Sequence, residues 1–128
     1  MAGPLASATA PPEPLRVLVV EDELFVAMLV EDMLGDLGCD IVESAASAAQ
    51  AEQVARTAQI DFALLDVNLD GETSFAAADV LRGRQIPFAF VTGYGEQGVR
   101  PDLRDVPVLS KPIDPRQLAG VIEAVERT

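Results

Sequence analysis

Apolar residues fall along this chain in two alternating periods. Leu15-Arg-Val-Leu-Val-Val20, Ile60-Asp-Phe-Ala-Leu-Leu65, Ile86 to Val91 and Val106 to Leu109 are short apolar runs, as expected of strands covered on both faces. A fifth strand is expected near Asp40 to Glu43. Between these runs the period changes to that of a helix. Val26, Leu29, Val30, Met33, Leu34 and Leu37 follow i, i+3, i+4, i+7 spacing. Glu21-Asp22-Glu23 would open this first helix, with acids suited to the positive end of its dipole, and Gly38 would close it. Ser47 predicts the cap of a second helix running to Ala58, and a third is predicted over Ser74 to Arg84. Asp114, with Pro115 in the first turn, starts a last one that runs to Glu126. Gly93, Gly95, Gly98 and Pro101 make the segment Gly93 to Asp105 a poor helix.

Strands alternating with helices predict an α/β fold: a doubly wound, five-stranded parallel sheet with right-handed crossovers, the fourth of them shortened. Such sheets place their sites beyond the carboxyl ends of the strands. Polar residues stand at those ends here. Glu21 and Asp22 follow the first strand, Asp66 the third, Thr92 the fourth and Lys111 the fifth. Far apart in sequence, they are predicted to meet on one rim.

Composition narrows the chemistry. The 128 residues are 49% hydrophobic, enough for one core, and contain no histidine; catalytic triads and zinc sites that use histidine are excluded. The single cysteine, Cys39, excludes an internal disulfide and is expected to be a buried thiol. With no signal peptide and no membrane-length apolar run, the expectation is a cytoplasmic protein. It would have a flexible leader over residues 1–14 and one domain over 15–127. Net charge is −12, and thirteen acids with a single base, Arg56, lie between Glu21 and Glu72. That field repels phosphate backbones, so neither nucleic acid nor membrane is expected as a partner.

Three carboxylates on one rim repel each other unless a cation intervenes, and an all-oxygen donor set suits Mg²⁺, or Mn²⁺ in its place. A carboxylate beside such a metal can attack a phosphoryl group while a lysine and a hydroxyl attend the oxygens. An aspartyl phosphate at Asp66 is the expected product. Asp66-Val-Asn-Leu-Asp-Gly71 also matches the first half of a calcium loop. Its twelfth position is Ala77, however, where a bidentate glutamate is required.

The chain from Leu15 to Arg127 resembles the response-regulator receiver domain, the CheY-like domain of two-component signalling. The resemblance rests on Glu21-Asp22, Asp66, Thr92 and Lys111-Pro112. It implies a strand order 2-1-3-4-5, with Asp66 as phosphoacceptor. Asp22, Asp66 and the backbone carbonyl of Asn68 would hold Mg²⁺, with Glu21 assisting. Thr92 and Lys111 would bind the phosphoryl group, and the Lys111–Pro112 bond would be cis. Pro87-Phe-Ala-Phe-Val-Thr-Gly-Tyr94 is similar to the PFxFATG[G/Y] (FAT GUY) signature of an alphaproteobacterial subfamily, with Val91 in place of its alanine. That likeness implies a stand-alone regulator, a histidine kinase of HWE/HisKA2 type or a phosphotransferase as donor, and a role in the general stress response. Gly93, Tyr94 and Pro112 would flank the switch. Val108 stands where receivers carry an aromatic residue, so switching is expected through ordering of Gly93 to Asp105 instead.

On the first helix, Leu24, Ala27 and Met28 form a second apolar row that ends at Glu31. By the same resemblance this row would be the kinase-docking face. The expected function is a phosphorylation-driven switch in partner binding rather than an enzyme. The alternative is a phosphate sink that drains a kinase by rapid autodephosphorylation.

Overall fold

The structure, a computed structural model, describes residues 13–127. Of the expected leader, residues 1–12 lie outside the described residues, and Glu13 and Pro14 are exposed. Five parallel strands form the sheet: β1 (Arg16–Val20), β2 (Asp40–Ala45), β3 (Phe62–Asp66), β4 (Phe88–Thr92) and β5 (Val108–Ser110). Their spatial order is β2-β1-β3-β4-β5, with Val20 beside Leu65 and Asp66 beside Val91 in register. The order predicted above is therefore the one observed. Because the strands are parallel, their carboxyl ends share one edge.

Four α-helices cover the sheet: α1 (Leu24–Asp36), α2 (Ala48–Thr57), α3 (Phe75–Gly83) and α4 (Pro115–Glu126). Alternation along the strands divides the core. Leu18, Val20, Ala63, Leu65, Phe88 and Phe90 face α2 and α3, whose alanines (Ala51, Ala55, Ala77, Ala78) let backbones approach closely. Val17, Val19, Phe62, Leu64, Val91 and Leu109 lie on the other face, in one cluster with Val30, Leu34, Leu118 and Ile122.

The helix ends follow local chemistry. Gly38, at φ 82°, closes α1 in a Schellman motif, with the Cys39 N–H donating to the Leu34 carbonyl at 3.0 Å. The Ser47 hydroxyl caps α2 and the Asp114 carboxylate caps α4. The acids Glu21 to Glu23 immediately precede α1, as expected. Glu23 is the N-cap residue but its side chain makes no cap bond.

Between β4 and β5 the predicted poor helix is indeed absent. Two 3-10 turns, Gly95–Gly98 and Pro101–Leu103, replace it. Their anchoring was not legible in the sequence. Val99 and Leu103 are buried against the α2–α3 core. Arg100 pairs with Asp79 of α3 and with Asp102, while Arg82 of α3 donates to the Asp102 carbonyl and the Asp105 carboxylate.

Candidate functional site

The site forms where β1, β3, β4 and β5 end. A cleft of about 440 Å³ is lined by Asp22, Glu23, Asp66, Asn68, Asp70, Gly71, Thr92, Gly93, Tyr94 and Lys111. Asp66 is the last residue of β3 and only 5% exposed. Its position is fixed by the ladder to β4 and by the Val67 N–H, which donates to the Val91 carbonyl at 3.0 Å. Beyond it, Asn68–Leu69 and Glu72–Thr73 pair as a two-stranded hairpin. Its loop is Asp70-Gly71, both at positive φ (51° and 88°), the geometry that favours an Asp-Gly turn. The Asn68 side-chain oxygen accepts from the Gly71 N–H at 3.1 Å, which closes the hairpin turn.

Lys111 reaches in from the end of β5. Its Nζ donates to Asp66 Oδ2 at 2.8 Å and lies 3.2 Å from Glu21 Oε1. Partial burial pulls the ammonium pKa down, but the two carboxylates outweigh it and hold Lys111 above its ordinary value. The Lys111–Pro112 bond is cis, and the Lys111 N–H donates to the Thr92 carbonyl at 3.0 Å. Strand ends β4 and β5 are tied together there.

Glu21 is nearly as buried as Asp66. Burial pushes its carboxyl up to about 7, opposed by the hydrogen bond from the Glu23 N–H; Asp66 adds to the rise and Lys111 counters it. Glu21, Asp22 and Asp66 each offer a carboxylate oxygen within 4.8 Å of the others. Three hard, anionic oxygen donors around one point fit Mg²⁺ or Mn²⁺ far better than a thiophilic metal. The cluster could therefore hold such a cation.

Thr92 is buried, and its Oγ1 accepts from the Tyr94 N–H at 2.9 Å. Tyr94 itself is 74% exposed at the cleft rim. Of the residues singled out from sequence, Asp22, Asp66, Asn68, Thr92, Gly93, Tyr94 and Lys111 share the cleft, and Glu21 touches it through Lys111. The Glu21–Lys111 contact was not foreseen. Both residues stood at strand ends, but no sequence spacing reports which side chains turn inward.

The docking row on α1 needs correction. Ala27 is buried in the core and cannot belong to an exposed row, whereas Leu29, assigned to the core stripe, is 55% exposed. The outward apolar residues are Leu24, Phe25, Met28 and Leu29, with Phe25 the most exposed at 85%. Glu31 is half-buried and accepts from the Ser44 hydroxyl at 2.9 Å.

Comparison with known proteins agrees with this arrangement. The family model for the response regulator receiver domain matches residues 17–123. The transcriptional regulatory protein PdtaR of Mycobacterium tuberculosis is 28% identical over 127 residues, 98% of this chain; the chain spans 62% of that relative's length. The solution structure of SdrG from Sphingomonas melonis is 38% identical, with a TM-score of 0.79, covering 91% of this chain and 99% of SdrG. A variant of the anti-anti-sigma factor PhyR from Bartonella quintana is 28% identical with a TM-score of 0.76, covering 89% of this chain and 49% of that one.

Proposed function

The chain belongs to the response regulator receiver domain family, and on that premise we propose that it takes a phosphoryl group from a phosphohistidine onto Asp66. The observation that carries this reading is a buried carboxylate held at 2.8 Å by Lys111 inside a three-carboxylate cluster. Asp66 would attack phosphorus as the P–N bond breaks, and the leaving imidazole nitrogen keeps the electron pair and takes a proton. The Lys111 ammonium stays beside the oxygens that gain charge, and the Thr92 hydroxyl turns to donate to one of them. Asp22, Asp66 and the Asn68 carbonyl, with Glu21 assisting, would hold Mg²⁺ or Mn²⁺. That cation supplies charge neutralisation between the carboxylates and the incoming phosphate. Water later cleaves the acyl phosphate to inorganic phosphate and restores the carboxylate.

The donor is a histidine kinase, of HWE/HisKA2 type, or a phosphotransferase. Leu24, Phe25, Met28 and Leu29, exposed on α1, form the face on which its helices dock. The output is a change in partner binding through Gly93, Tyr94 and the segment that follows, not turnover of a substrate. Membership of the FAT GUY subfamily, and with it a part in the general stress response, is supported by Pro87 to Tyr94 and by the likeness to SdrG and PhyR. Transfer of labelled phosphate from a purified kinase of the source organism tests the reading. Labelling should require a divalent cation, and labelling that survives EDTA would refute it.

A further inference from the structure

Gly98 ends the 3-10 turn that folds back over Thr92. An ideal Cβ built on it would lie 3.2 Å from Thr92 Oγ1 and 3.5 Å from the Tyr94 Cβ. Among the other described glycines, none has a neighbour within 4 Å of such an atom. Gly98 is also not among the positive-φ residues, which are Gly38, Gly71, Gly95, Asp70 and Gln85. Its backbone therefore has no need of glycine; the space beside it does.

The turn has little freedom to retreat from that contact. Val99, the next residue, is buried, and its carbonyl accepts from Arg104 Nε at 2.9 Å. Arg100 is paired with Asp79 on α3, and its guanidinium lies 5.8 Å from the centre of the Phe75 ring. Thr92 is the softer partner, because its hydroxyl can rotate about one bond. Thr92 lines the cleft and Gly98 does not, so Gly98 approaches the hydroxyl without itself forming part of the cleft lining.

We infer that Gly98 is a positioning residue for the phosphoryl site: its bare Cα provides the recess in which the Thr92 hydroxyl rests on the Tyr94 N–H. This rests on the proposed role of Asp66. Accepting there, the hydroxyl keeps its own proton free to donate to a phosphoryl oxygen. A methyl group at position 98 crowds the recess and displaces the hydroxyl from it. The hydrogen bond that orients the hydroxyl is weakened, and with it the donor held ready for the phosphoryl group.

The test uses beryllofluoride, which stands in for the bound phosphoryl group, titrated with Mg²⁺ into the full chain. Gly98→Ala should bind it more weakly by about two- to ten-fold, the range spanned by one net hydrogen bond. In a Thr92→Val background, which has no hydroxyl to place, the same substitution should change affinity by less than about two-fold. Equal or tighter binding by Gly98→Ala, or a loss that persists without the hydroxyl, would overturn the inference. A second measurement needs no variant at position 98. In the unsubstituted chain, beryllofluoride should leave the Tyr94 amide at least as protected from hydrogen exchange, and faster exchange there would equally overturn it. Failure of the unsubstituted chain to bind beryllofluoride would instead strike at the role of Asp66.

Discussion

At the scale of single residues, burial decides which side chains carry information. Glu21 holds a proton in the folded chain up to about pH 7, whereas its ordinary value is 4.5. Between those values the folded state binds more protons than the unfolded one, so this group makes stability fall as pH rises. The metal-free chain should therefore lose melting temperature through that window, and Glu21→Gln should flatten the slope. A cation in the cluster must displace the proton, so Mg²⁺ affinity should rise with pH across the same range; calorimetry at pH 6 and pH 8 would show it. Ser74 offers a second residue-scale test. Its hydroxyl is buried with no hydrogen-bond partner, and it does not cap α3. Ser74→Ala should raise stability by about 1 kcal/mol in urea denaturation, since it removes an uncompensated polar group.

At the scale of elements, the strands were legible and one helix face was not. Parallel strands buried on both sides write themselves as continuous apolar runs, so the ends at Val20, Asp66 and Thr92 could be placed to within a residue or two. In α1, apolar residues occupy so many positions (Leu24 to Val30 without a polar interruption) that the spacing fits two stripes equally well. Contact with the sheet chose Ala27 over Leu29, a choice only packing can make. The exposed row gives a direct expectation. Phe25→Ala with Leu29→Ala should leave stability within about 0.5 kcal/mol, leave labelling by acetyl phosphate unchanged, and slow transfer from the kinase. The segment from Gly93 to Asp105 was expected to be a poor helix whose ordering carries the switch. The buried Val99 and Leu103 and the arginine pairs to α3 give its second half anchors that composition could not reveal, because their partners lie about twenty residues away in sequence. Amides of Leu103 and Arg104, which donate to Arg100 and Pro101, should exchange slowly in both states. The response to beryllofluoride should concentrate in residues 93–98, and a uniform response across the segment would contradict this division.

For the molecule as a whole, the fold acts to converge charge. Thirteen of its acids lie in the stretch from Glu21 to Glu72, and the parallel sheet brings three of them to one point with Lys111, the only lysine of the chain. Among the described residues no helix is long and apolar enough to cross a membrane. The sequence showed which residues would gather at this edge because topology alone sends strand ends there. It did not show their pairing, because Lys111 could have faced solvent with the same pattern. The measurement that bears most directly on the central claim is intact-protein mass spectrometry after incubation with acetyl phosphate and Mg²⁺. The unsubstituted chain should gain the mass of one phosphoryl group, and Asp66→Asn should gain none while melting as a folded protein. A variant lacking the Asp66 carboxylate that is still phosphorylated to the same extent would contradict the account.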